Sequence, residues 1–446
     1  MTLKSSFLYA WRIIFPKNKH GIGYKSFVGA MVCIGISLIP LVCVLVISNG
    51  MIEGITGRII GLSTQDISVI LNKRSSDADN YASFDALSSR LCNTEGVVDS
   101  YPEIDSNVLV IGNNYRTGAT VRAVKNDIFQ KNESFVSLLN VISGKAEFTS
   151  PKSAVIGQNI SETLGIKVGD SIRIVSVNAS DSGKVIPKIS SFVVEGIVTS
   201  GYQELDALWI FIPLESGFSM LSSSCQYMIN LVTTDRYGSS LIKTKMAVQD
   251  EIFGLNGNPV INGAYVYTWN EINESQFENF SSTKSLLFLI MLLIVLVASV
   301  NISSALIMIV MERKKEISIL KSLGASSEGV TTSFMIVGFA CGLGGVIIGI
   351  PLGLLAAVNI NEIIRIMERF INFFIKLGYL LVGSGDDFHQ VKLLNPSYYL
   401  QSIPVDIPFT ELFLIGAMTL VLSLLVSSIP AIKAGNGKPI ETLRKM

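Results

Sequence analysis

Leu286-Leu-Phe-Leu-Ile-Met-Leu-Leu-Ile-Val-Leu-Val-Ala-Ser-Val-Asn-Ile-Ser-Ser-Ala-Leu-Ile-Met-Ile-Val-Met311 runs without a single ionisable side chain. At 1.5 Å per residue, about 20 helical residues cross the roughly 30 Å hydrocarbon core of a bilayer. Helix is the state that leaves no backbone N–H or C=O unpaired in lipid. Three further charge-free runs, Phe27–Ser48, Thr331–Val358 and Leu412–Ile432, meet the same criterion. The expected fold is membrane α-helical, with four transmembrane helices and a large mixed α/β extracytoplasmic domain.

Composition agrees. Of 446 residues, 49% are hydrophobic and only 16% charged, whereas a soluble domain carries about a quarter charged residues. The 35 basic side chains balance the 35 acidic ones, so no basic surplus points to nucleic acid as a partner. The first apolar run starts late and is longer than a signal-peptide core, so it reads as a retained anchor. No lipidation signal is visible.

Charge placement sets the orientation. Lys4, Arg12, Lys17, Lys19 and Lys25 precede the first run with no acid among them. Arg313, Lys314, Lys315 and Lys321 face Glu312, Glu316 and Glu328 between the second and third runs, and Lys433, Lys438, Arg444 and Lys445 face Glu441 in the tail. These three segments hold 13 basic and 4 acidic residues, leaving 22 basic and 31 acidic for everything else. The positive-inside rule puts the three segments in the cytoplasm. The expected map is a cytoplasmic segment 1–26, spans 27–48, 286–311, 329–360 and 412–432, an external domain 49–285, a cytoplasmic helix 312–328, an external loop 361–411 and a cytoplasmic tail 433–446. Both termini then lie in the cytoplasm, and the large domain lies outside.

Within the external domain, Ile67–Leu71, Asn107–Ile111, Thr120–Val124, Ser171–Val177, Ser191–Val198 and Tyr265–Thr268 alternate or are β-branched and read as strands. Helices are expected at Phe84–Cys92, Ser134–Ile142, Gln158–Leu164 and Ser239–Phe253, and a polar loop at Asn178–Lys188. Cys92 and Cys225 both fall here, where a disulfide is permitted but not required.

No catalytic constellation emerges. The two histidines, His20 and His389, are far apart, so neither an HExxH zinc site nor a paired-histidine metal site is expected. No GxSxG elbow is present. Gly435-Asn-Gly-Lys438 lacks the leading glycine spacing and the following Ser/Thr of a phosphate loop. The chain is expected to be a non-catalytic subunit without its own cofactor or metal.

The segment Met311–Ala325 is more informative. On a helix, Glu316, Ile319, Leu320 and Leu323 share a face, Arg313 can pair with Glu316 at i,i+3, and Gly324 can supply a left-handed cap. A short amphipathic helix with a defined stop, placed between two spans, suits docking into a groove of a cytoplasmic partner.

Glu312-Arg313-x-x-Glu316-Ile317-x-Ile319-Leu320-Lys321-x-Leu323-Gly324-Ala325 resembles the coupling-helix signature of the FtsX/MacB-type ABC transporter permeases. Pro430-Ala431-x-x-Ala434 and Pro439-Ile440-Glu441-x-Leu443-Arg444 resemble the same family's C-terminal signature, and one span, a large domain, then three spans is its layout. Within that family the chain is similar to the LolC/LolE permeases of the lipoprotein-releasing system. The similarity lies in Val46-Ile-Ser-Asn49-Gly50-Met51, Gly196-Ile-Val-x-Ser200-Gly201, Ile212-Pro213-Leu214 and Leu394-Asn-Pro396-x-Tyr398-Tyr399-Leu400-x-x-Ile403-Pro404-Val405.

The resemblance implies a mechanotransmission permease with a MacB-like periplasmic core of porter and sabre subdomains, the sabre at about 126–204. A LolD-like ABC ATPase, holding ATP and Mg, would dock on Glu312, Arg313, Glu316, Ile319, Leu320, Lys321, Leu323 and Gly324. A second permease chain, identical or not, would complete the dimer. Acylated lipoprotein would enter a cavity walled by Val44, Leu45, Ile47 and Met51 of the first span and Leu286, Leu287, Leu289 and Ile290 of the second, where each buried methylene contributes about 0.8 kcal/mol. A LolA-like periplasmic carrier would meet the hook position, held here by Lys184, Val185, Ile186 and Pro187. Two rival readings are a MacB-like efflux permease for peptides or macrolides and an FtsX-like regulator of cell-wall hydrolases.

Overall fold

The computed structural model describes residues 3–15, 22–71, 80–113, 115–179, 185–221, 225–254, 263–382, 393 and 404–437. The chain divides into two compact units, Met1–Ile52 with Phe280–Val391 and Ile403–Met446, and Glu53–Asn279 with Lys392–Ser402. It opens with α1 (Leu3–Ile14) and α2 (Ile22–Ile59). There follow β1 (Ile67–Leu71), α3 (Tyr81–Cys92), β2 (Val97–Ile111), β3 (Arg116–Val124), α4 (Ile128–Lys131), α5 (Glu133–Leu138), β4 (Asn140–Gly144), β5 (Ser153–Gly157) and α6 (Gln158–Leu164). Next come β6 (Ser171–Ala179), β7 (Val185–Thr199), α7 (Gln203–Asp206), β8 (Trp209–Pro213), α8 (Leu214–Met220), β9 (Gln226–Thr233), α9 (Ser239–Phe253), β10 (Ala264–Thr268) and α10 (Trp269–Ile272). The last helices are α11 (Glu274–Glu312), α12 (Lys314–Ser322), α13 (Ser327–Val358), α14 (Ile360–Val382) and α15 (Phe409–Asn436).

Among the described residues, four helices are long and apolar enough to cross a membrane, and they are α2, α11, α13 and α15. Small residues let them approach, because lipid supplies no hydrophobic drive between helices and close van der Waals contact must do the work. On α13, Gly338 and Gly342 pack on Ser427 and Ser423 of α15, and Ser423 Oγ donates to the Gly338 carbonyl at 2.7 Å. Around the helix, Gly345, Gly349 and Gly353 meet Ile34, Leu38 and Val42 of α2. A side-chain carbon at Gly349 would sit 2.8 Å from both the Gly35 carbonyl oxygen and Leu38 Cβ. Backbone cannot swing aside, so Gly349→Val is expected to cost about 3 kcal/mol, the upper end for overpacking. Its melting temperature in detergent should fall well below that of the parent; an unchanged melt would mean that α2 and α13 do not pack this closely.

The second unit is built on one ten-stranded sheet in the order β10-β1-β9-β2-β3-β8-β5-β7-β4, with β6 pairing both β2 and β7. The β3–β8 and β5–β7 pairs are parallel and the rest antiparallel. Its core gathers Ile67, Phe84, Leu91, Ile104, Val121, Ile156, Ile210 and Ile229 with Val248 and Ile252 of α9.

Two local expectations fail here. The helix expected at Ser134–Ile142 stops at Leu138, and Asn140–Gly144 pairs instead with β7. In the polar loop expected at Asn178–Lys188 the described residues are strand instead, Asn178 pairing with Ile186 and Val177 with Pro187, while 180–184 lie outside the described residues. Pro187 fits a strand at this place because β4 and β5 pair with β7 only from Val193 onward, so no ladder needs its missing N–H. Cys92 and Cys225 are not joined by a disulfide.

Candidate functional site

At one end of the spans a chain of polar side chains ties three helices together. Lys284 Nζ on α11 donates to Glu411 Oε1 of α15 at 2.8 Å and to Asn49 Oδ1 of α2 at 3.2 Å. Asn49 Nδ2 in turn donates to Asp406 in the segment leading into α15. Gly50 is required beside it, because any side-chain carbon there would lie 2.0 Å from the Pro404 carbonyl oxygen. Thus Gly50 and Pro404, from two of the four segments that carry the LolC/LolE resemblance, meet in the fold; residues 394–400 lie outside the described residues.

Beneath this polar layer Leu45, Ser48, Asn49 and Ile52 of α2 face Lys284, Leu287 and Met291 of α11 across a narrow, mostly apolar cleft. It offers about 10 Å³ to a water-sized sphere, room for roughly one water rather than an acyl chain. Of the eight expected wall residues, Leu45 and Leu287 line the cleft together. Ile47 and Met51 are half-buried. Val44, Leu286, Leu289 and Ile290 point outward, Leu286 being 58% exposed. The sequence reading missed Met291, one turn beyond Leu287, and the polar rim. A lone Lys284 and a lone Asn49 at the ends of apolar helices were the available signal.

The opposite end of the spans carries α12. Arg313 Nη1 donates to Glu316 Oε1 at 2.5 Å, and Gly324 takes the left-handed conformation with φ +95°. Ile317 and Ser318 turn inward, whereas Glu316, Ile319 and Leu323 are exposed, Leu323 by 80%. Glu312 is also exposed, and Leu320 is half-buried. Lys321 is committed within the chain, because its ammonium donates to the Gly435 and Gly437 carbonyls at the end of α15, at 2.6 and 2.8 Å. That contact fixes α12 to α15. Tyr9 of α1 lies close by, and burial, with Glu316 next, pushes its phenol up to about 12 against the pull of Arg313.

In the second unit the hook position falls on the β6–β7 hairpin. Val185 and Ile186 begin β7, Pro187 follows with an exposed ring, and Lys184 lies outside the described residues.

Two family models match this chain, the MacB-like periplasmic core domain over residues 27–249 and the FtsX-like permease C-terminal region over 288–439. The chain belongs to the FtsX/MacB-type ABC transporter permeases. The permease is 25% identical over 98% of its length to the lipoprotein-releasing system transmembrane protein LolC of Neisseria meningitidis serogroup B, covering 99% of that protein. It is 23% identical to LolE of Haemophilus influenzae, covering 99% of each chain. The periplasmic region of MacB from Actinobacillus actinomycetemcomitans aligns with 49% of the permease and 94% of that structure, at 14% identity and a TM-score of 0.32.

Proposed function

We propose that this permease is the membrane subunit of an ATP-driven lipoprotein-releasing transporter. In this reading it extracts acylated lipoproteins from the outer leaflet of the inner membrane and passes them to a periplasmic carrier. The supporting observation is end-to-end similarity to proteins named for lipoprotein release, through all four spans and the intervening domain. Charge placement supports cytoplasmic termini. A separate LolD-like ATPase, with ATP and Mg, would dock on the outward face of α12, and a LolA-like carrier on the hairpin around Ile186.

The narrow cleft gives the second permease chain a role. One chain offers apolar walls at Leu45, Leu287 and Met291 but no space for an acyl chain, so a partner chain would have to open or complete the cavity. The polar layer above it would then part, because Lys284 and Asn49 link the two helices that wall the cleft. A photocrosslinker at Met51 is expected to capture lipoprotein, and one at Ile186 the carrier. Capture of an outer-membrane channel at the hairpin, with no lipoprotein at Met51, would favour the MacB-like efflux reading that the periplasmic core match also permits.

A further inference from the structure

The segment between α13 and α15 was expected to be a loop, but it contains α14, a 23-residue helix. Its polar residues Asn361, Glu362, Arg365, Glu368, Arg369, Asn372 and Lys376 recur so that all fall within an arc of about 120° at 100° per residue. Every other position from Ile360 to Leu377 is apolar. The five charges bar α14 from crossing the bilayer, while their confinement to one stripe leaves a wide, continuous apolar face. That face is bare. Ile366, Met367, Phe370, Phe373 and Phe374 are each at least half exposed, and the Phe374 ring lies 4.8 Å from that of Phe370 and 5.7 Å from that of Phe373.

Continuity with the third span says what covers it. The outer surface of α13 near its C-terminus, Ile347, Leu352, Leu355 and Val358, is exposed on a helix that crosses the membrane, so it faces lipid. Asn359 alone separates α13 from α14, with its N–H donating to the Leu355 carbonyl and its carbonyl accepting from the Ile363 N–H at 2.9 Å. The first turn of α14 therefore starts at the level where α13 leaves the hydrocarbon. A helix tethered there, with segregated faces and one more basic than acidic residue on its polar stripe, has the character of an interfacial helix.

We propose that α14 lies in the headgroup plane of the membrane face opposite α12, with Ile366, Phe370, Phe373 and Phe374 among the acyl chains and the Arg365–Lys376 stripe towards water. The partner is the bilayer itself, whatever cargo the transporter moves. Full-length permease carrying p-benzoylphenylalanine in place of Phe370, Phe373 or Arg365 would be reconstituted in phosphatidylcholine/phosphatidylglycerol nanodiscs and irradiated. Acyl-chain adducts are expected at the first two positions, with loss of the adduct to background at Arg365. The unsubstituted permease, labelled by phosphatidylcholine with a diazirine in its acyl chain, should show the same division between faces of α14. Crosslinks from Phe370 to a second permease chain, equal labelling of both faces, or no lipid adduct would each overturn the proposal.

Discussion

Leu323→Asp is expected to cut ATP-driven transport to background while leaving the permease inserted and folded. Leu323 is 80% exposed and Ile319 45% exposed on the outward face of α12, so neither packs enough within the chain for a carboxylate to unfold it. If the two fill a pocket on the ATPase, a charge placed there removes an anchor worth about 2–4 kcal/mol, at least a thirtyfold loss of affinity. Co-purification of the ATPase and its turnover in the assembled complex are the readouts. The contrasting variant is Ile317→Asp, on the inward face of α12 and 5% exposed, which should lose the folded permease altogether. If Leu323→Asp retains both ATPase binding and transport, α12 does not dock through this face.

Lys321 extends the same test. Because its ammonium is spent on the Gly435 and Gly437 carbonyls, its contribution to coupling would be to hold α12 against α15, not to meet the ATPase. A Lys321 variant should therefore weaken coupling through α12's position, with less effect than a charge at Leu323.

The spans were legible because absence of charge over about 20 residues has few other physical explanations. The bounds of α6 and α9 were legible too. Gly165 takes a left-handed φ of +64° to end α6, and Gly238 and Gly254 bracket α9. Strands β8 and β9 escaped notice: Trp209–Pro213 is buried at every position, so it shows no alternation. Asn178–Ala179 and Val185–Lys188 were read as loop because the polar composition of 178–188 suits one, while pairing between β6 and β7 decided their conformation. The polar layer at the end of the spans joins Asn49 to Asp406 across 357 positions, a proximity that no local pattern encodes. The stripe on α14 was written in the sequence at helical period. A search for charge-free windows passes over it, because amphipathic and spanning helices differ in where charges sit as well as in how many there are.

Arg122→Met is expected to be the most damaging single change in the second unit, at about 3–5 kcal/mol, because it strands a buried carboxylate. Arg122 and Glu103 are each 2% exposed. The guanidinium donates twice to Glu103, with Nη2 at 2.8 Å from Oε2, and through Nη1 to the Leu62 carbonyl at 2.5 Å. It lies over Trp209 at 4.4 Å. Glu103 also accepts from Asn230 Nδ2 at 2.9 Å, so loss of Arg122 disturbs a network that spans β2, β3 and β9. Thermal melting and protease resistance of the full-length permease should fall sharply, and Glu103→Gln added to Arg122→Met should restore part of the loss. Asp105 should give the opposite sign. Its carboxyl lies opposite Arg122 in the β2–β3 ladder, 3.9 Å from Nε, and burial, then repulsion from Glu103, push its pKa well above the usual carboxylate range against the pull of Arg122. A pKa raised in the fold means stability held below the unfolded value of about 3.9 and lost as pH rises through the folded one. Asp105→Asn removes that loss, so it should melt above the parent at neutral pH and gain little at pH 4. A variant that melts below the parent at pH 7 would instead show an ionised Asp105 stabilising the sheet.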